Sequence, residues 1–93
     1  GNINKMGYEY LQTGMTETAI AIFRFNTLAF ARSSNTWDSL AEAYMKANKT
    51  DLAIQNYRKS LELNPGNDNA MRMLEKLKPK KPTGGDQQPN RGL

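Results

Sequence analysis

Cysteine and histidine are both absent from this chain. Without thiols there is no disulfide framework and no thiolate metal site. Without imidazole the commonest general base and metal ligand is gone. Long apolar runs are missing as well. No stretch approaches the ~20 residues that span a bilayer, and the N-terminus lacks the basic-then-apolar layout of a secretion signal. The chain opens Gly-Asn-Ile rather than with methionine, which reads as an excised fragment with Gly1 as a cleavage scar. At 93 residues it makes one small domain at most.

Net charge is also missing from most of the chain. Through Glu75, eight Lys/Arg face eight Asp/Glu; from Lys76 onward, Lys76, Lys78, Lys80, Lys81 and Arg91 stand against Asp86 alone. The formal +4 therefore lies entirely at the C-terminal end. A nucleic-acid-binding fold carries its positive stripe on the folded body, so this distribution argues against nucleic acid. It also argues against membrane binding, because a basic tail needs a hydrophobic anchor and residues 79–93 offer none.

What the chain does have is a period. Shifted by 34 residues, Gly7, Tyr10, Gly14, Ala19, Ile20 and Phe23 fall on Ala41, Tyr44, Asn48, Ala53, Ile54 and Tyr57. A fixed repeat of this length marks a stacked-repeat architecture. Helical spacing predicts a first helix over 3–13, with Ile3, Met6, Gly7, Tyr10 and Leu11 on one face, stopped by Gly14. A second helix follows over about 16–31. Ser34 caps a third, which runs to about Ala47 with Trp37, Leu40, Ala41 and Tyr44 inward, and Asn48 takes the place of Gly14. A fourth covers 50–63 and ends at Asn64-Pro65-Gly66. Asp68 caps a fifth over 69–78, a single amphipathic helix closing the stack. Small residues at Gly7, Ala19, Ala41 and Ala53 allow close helix approach, and Tyr10, Phe23, Tyr44 and Tyr57 fill the space between.

Trp37, Leu40, Ala41, Tyr44, Ala53, Tyr57, Ser60 and Pro65 sit at the spacing of the tetratricopeptide repeat, a helix-turn-helix unit, and residues 2–78 resemble that family. The second copy matches at nearly every signature place. In the first, Ile3 replaces the tryptophan and Ala31 the closing proline. The resemblance implies an all-α, right-handed superhelical stack in a domain over 1–78. Its repeats lie at about 1–33 and 34–67, with a capping helix at about 68–78 and a disordered basic tail over 79–93. The runs Asn35 to Tyr44 and Ala53 to Pro65 also resemble the C-terminal repeat module of some bacterial serine hydrolases, esterase-like or β-lactamase-like, whose catalytic domain would lie upstream.

The resemblance further implies a concave groove lined by the first helix of each pair: Asn4, Tyr8, Asn35, Asp38, Glu42, Met45, Arg72, Met73 and Lys76. Its two methionines and tyrosine suit adaptable apolar contact with a peptide. One subclass of the family clamps the C-terminal carboxylate of chaperone peptides with Lys, Asn and Arg. Those places here hold Asn4, Tyr8, Ser39, Asn69 and Met73, so the required bases are missing. Asp38 and Glu42, four apart on one helix face, form a carboxylate pair with no third ligand or pocket, too little for catalysis or metal binding. Tyr8, Phe30 and Trp37 are the rings for base stacking, but Trp37 belongs to the inward stripe. No catalytic, cofactor or metal residues are therefore assigned.

The two copies disagree most on their second helices. Gln55, Asn56, Lys59 and Glu62 give the fourth helix a polar side, whereas Ala21, Ile22, Phe25 and Leu28 stand at the same places on the second. Ala21, Phe25 and Leu28 line up at i, i+4 and i+7. One outcome is a locally thickened core. The other, favoured here, is a contact surface covered by an upstream domain or by a second copy of the chain. The sequence thus predicts a non-catalytic protein-binding module, an accessory domain of a larger protein. Its alternatives are a free-standing peptide-binding adaptor and the appendage of a serine hydrolase.

Overall fold

The computed structural model describes residues 2–78; the tail expected over 79–93 lies outside them. Five helices follow one another: α1 (Asn2–Gln12), α2 (Thr16–Ala29), α3 (Ser34–Lys46), α4 (Thr50–Leu63) and α5 (Asp68–Lys76), with no strand among the described residues. Each helix packs on the next, and α1 also touches α3. The result is the all-α stack that the period predicts: two hairpins and a closing helix.

The 34-residue period is written into the backbone. Met15 N–H donates to Tyr10 O at 3.0 Å, and Lys49 N–H to Tyr44 O at 2.9 Å. Phe30 N–H to Asn26 O and Asn64 N–H to Ser60 O are both 2.9 Å, while Ser33 to Phe30 and Asn67 to Asn64 are both 3.0 Å. Gly14 (φ 86°) and Asn48 (φ 61°) are the two positive-φ residues of the turns, as expected of a glycine and of the asparagine that best replaces it.

The core runs along the hairpin interiors. Ala19, Phe23, Ala41, Ala43, Ala53 and Ala70 have no solvent exposure, and Leu11, Ile20, Leu40, Tyr44 and Tyr57 are buried around them. Gly7 is demanded rather than merely allowed: a Cβ there would lie 2.5–2.8 Å from three ring atoms of Phe23. Tyr10 is half-buried where Tyr44 is buried, because α1 has no described helix on its far side.

Two caps and several helix ends differ from the sequence reading; α1 closes at Gln12 rather than residue 13 and α5 at Lys76 rather than Lys78. Ser33, not Ser34, holds the N-cap position of α3, without a side-chain cap bond; the Thr36 hydroxyl instead donates back to Ser33 O at 2.8 Å. Asn67, not Asp68, caps α5, its Oδ1 accepting from Ala70 N–H at 3.1 Å. A residue one place earlier has the extended backbone a cap needs, so Asp68 becomes the first helical residue. Helix α2 stops at Ala29 rather than Ala31. The Phe30 carbonyl accepts from Thr36 Oγ1 and the Ala31 carbonyl from Trp37 Nε1, which turns the chain out of the helix.

Candidate functional site

The outer faces of the two equivalent helices are chemically opposite. On α4, Lys59 Nζ lies 3.6 Å from Glu62 Oε1, an exposed ion pair suited to water. At the same places α2 carries Phe25 and Leu28, 59% and 82% exposed, with Ala21 exposed beside them. Ile22 departs from the expected strip. It is half-buried, and its counterpart Asn56 is buried, its amide donating to Leu52 O at 2.7 Å. One residue turns a helix by about 100°, which carries Ile22 off the Ala21–Phe25–Leu28 line toward the body of the stack. Asn56 is accordingly not part of the solvated side of α4.

Several residues expected to line the groove are tied to one another. Tyr8 OH approaches Glu42 Oε1 at 2.9 Å and Ser39 Oγ at 3.1 Å, bridging α1 to α3. Its ring packs edge-on against Phe23, centroids 5.0 Å apart. Burial, with a smaller push from Glu42 and Asp38, raises its phenol to about 12. Burial likewise drives the Tyr57 phenol well upward. Asp38 accepts from Asn69 Nδ2 at 3.0 Å and, more loosely, from Asn67 Nδ2 at 3.5 Å; half-burial raises its carboxyl above the ordinary value. Asp38 and Glu42 therefore serve as struts between helices, Glu42 toward α1 and Asp38 toward α5, rather than as a free carboxylate pair.

The rest of the predicted lining is dispersed. Asn35 is exposed and Asn4 half-buried at one end. Met45 and Met73 are half-buried against the core. Arg72 and Lys76 are exposed on α5, where Arg72 lines a cleft of about 550 Å³ between α4 and α5 with Ile54, Leu61, Met71 and Leu74. Tyr8 and Ser39, at two of the carboxylate-clamp places, are bonded to each other. Among the described residues, no three acidic side chains converge as a metal site, and no helix is long and apolar enough to cross a membrane.

Sequence reasoning missed the junctions between hairpins. Where α3, α4 and α5 meet, the Ser60 hydroxyl donates to Ser34 O at 2.9 Å and accepts from Asn67 Nδ2 at 2.8 Å. Where α1, α2 and α3 meet, the corresponding places hold Asn26 and Ser33 beside an open cleft of about 540 Å³. The signal was available: comparing polar residues at 4/38, 26/60 and 33/67, as was done for apolar ones, separates the two junctions.

The tetratricopeptide repeat family model matches residues 36–67, which is α3 from its third residue through α4 to the cap of α5. The first hairpin, with Ile3 and Ala31 at signature places, lies outside that match. No curated protein matches the chain. Taken with the five-helix architecture, the match makes this an all-α, tetratricopeptide-like helical stack, built on a repeat that in general mediates protein–protein contact and is typically non-catalytic.

Proposed function

We propose that this chain is a non-catalytic protein-binding module, an accessory domain of a larger protein, which docks through the outer face of α2. The observation that supports it is the exposure of Phe25 and Leu28 where the sister helix carries the Lys59–Glu62 ion pair. The sister helix meets water at these places with charge, so hydrocarbon exposed there is the mark of a surface that a neighbour covers. Covering what Phe25 and Leu28 now expose is worth roughly 3–4 kcal/mol, close to the roughly 4 kcal/mol that corresponds to millimolar affinity. A free second copy meets that concentration rarely, whereas a domain on the same chain supplies a millimolar effective concentration through its tether. The magnitude therefore favours attachment over a tight homodimer. A serine hydrolase with its catalytic domain upstream is one parent protein in keeping with the resemblance over 35–44 and 53–65. The groove side, with Asn35, Met45, Met73 and Lys76, is left for peptide.

The experiment is light scattering from about 20 μM to about 1 mM, bracketing the expected affinity. With α2 uncovered, the average mass of the wild-type chain rises toward the upper limit. Phe25→Lys/Leu28→Lys abolishes the rise and leaves the melting temperature within about 2 °C, since neither side chain is buried. Equal self-association of the double variant refutes self-contact through α2, whereas a stable wild-type monomer favours an upstream domain or a thicker core over a second copy.

A further inference from the structure

Among the described residues, the buried side-chain atom without a hydrogen-bond partner is Asn4 Oδ1, beside the cleft between the first and second hairpins. Its walls are Ile3 and Asn4 from α1, Asn26 at the end of α2, Phe30, and Ser33 and Asn35 at the start of α3. At the next junction the equivalent residues close on themselves: Asp38 accepts from Asn69, and Ser60 links Asn67 to the Ser34 carbonyl. Here the carboxylate has become Asn4, whose buried Oδ1 has no partner, and the hydroxyl has become Asn26. Asn26 is only 5% exposed and lines the cleft. Leaving a buried oxygen such as Asn4 Oδ1 unmet is costly and calls for an explanation.

The shape follows from the same comparison. Trp37 holds the corresponding place of the second hairpin; it is half-buried rather than part of the inward core stripe, its Nε1–H donating to Ala31 O at 2.8 Å and Lys59 Nζ lying 5.9 Å over its ring. Ile3 stands at that place in the first hairpin and is far smaller, so a cleft of about 540 Å³ remains. Its apolar walls are Ile3 and Phe30, the latter 57% exposed. Among the described residues, no charged side chain lines it. These walls suit an uncharged occupant with an N–H for Asn4 Oδ1, polar groups for the Asn26 carboxamide and a ring against Ile3 and Phe30.

We propose that this cleft binds an uncharged aromatic residue of a partner peptide, its backbone amides meeting Asn4 and Asn26 and its ring lying between Ile3 and Phe30. The proposal deepens the protein-binding reading by naming a residue class the module selects, at a place separate from the α2 face.

The probe is N-acetyl-phenylalaninamide, titrated into the ¹⁵N-labelled 93-residue chain, with N-acetyl-alaninamide as the control. The expected result is saturable movement of the Asn4 and Asn26 side-chain amide signals with a Kd of about 1 mM, as fits so small a ligand, and at least about tenfold weaker binding of the alanine analogue. Ile3→Trp puts an indole against the cleft wall and weakens the probe at least about tenfold. Asn4→Ala, at a half-buried position that tolerates truncation, weakens it about fivefold to tenfold by removing one acceptor; it carries the test if Ile3→Trp loses helical circular dichroism. Phe25→Lys/Leu28→Lys binds the probe normally, so failure here and failure of docking through α2 are separate results. Absence of saturable movement, movement centred on α2, or full affinity in both cleft variants overturns the proposal.

Discussion

Gly7→Ala sets two magnitudes against each other within one residue. Gly7 lies inside α1, where alanine is favoured over glycine by about 1 kcal/mol on helix propensity alone. The same Cβ, however, would sit 2.5, 2.7 and 2.8 Å from three atoms of the Phe23 ring, about 1 Å inside van der Waals contact. Phe23 has no solvent exposure, and Tyr8 packs edge-on against its ring. Tyr8 is itself fixed by Ser39 and Glu42, so the ring has no free direction of retreat. Overpacking of this kind costs about 3 kcal/mol, at the upper end of its usual range. The net is a loss of about 2 kcal/mol, or about 10 °C in melting temperature for a domain of this size. Thermal unfolding by far-ultraviolet circular dichroism measures it. A second experiment isolates the cause: in a Phe23→Leu background the Gly7→Ala penalty shrinks to about zero or changes sign, because the ring is gone while the propensity gain persists. A melting temperature equal to or above the parent, or an undiminished penalty in the leucine background, refutes the reasoning.

Two further substitution series follow. Asn67→Ala removes the cap bond to Ala70 N–H and the bond to Ser60 Oγ and costs about 2 kcal/mol, whereas Asp68→Ala, which loses only a favourable charge in the first turn of α5, costs less than about 1 kcal/mol; denaturant midpoints followed by Trp37 fluorescence rank the two. The Tyr8 phenol is raised to about 12 in the fold against about 10 in the unfolded chain, so its contribution is complete below pH 10 and is lost as pH rises toward 12. Stability measured from pH 8 to 11.5 accordingly stays level and then falls above pH 10, and Tyr8→Phe falls less steeply; parallel profiles would show that Tyr8 does not titrate as the structure requires.

The period made the backbone legible because turns and helix ends answer to local chemistry. Gly14 and Asn48 take positive φ, and Tyr10 and Tyr44 receive the same turn hydrogen bond, whatever lies outside each hairpin. Helix ends were less legible, since a side chain several residues downstream decides them. Trp37 and Thr36 draw the carbonyls of Ala31 and Phe30 away from α2, and Asn67 reaches Ala70 before Asp68 can act as a cap. Groove residues were read as independent because helical spacing shows which side chains share a face and says nothing of a partner on another helix. Tyr8 with Glu42 and Asp38 with Asn69 are bonds across 34 and 31 residues. The same limit makes the comparison of copies informative. Where both copies share a position and a neighbour, as at Ala19 and Ala53, the residue is explained within the stack. Where they share a position but differ in chemistry, as at Phe25 and Lys59, Leu28 and Glu62, or Asn26 and Ser60, the stack cannot supply the reason. Two such groups fall on separate places, one apolar on α2 and one amide-rich at the first junction, so a single contact does not account for both. On the proposed reading, the α2 face would meet one neighbour with hydrocarbon and the first junction another with hydrogen bonds.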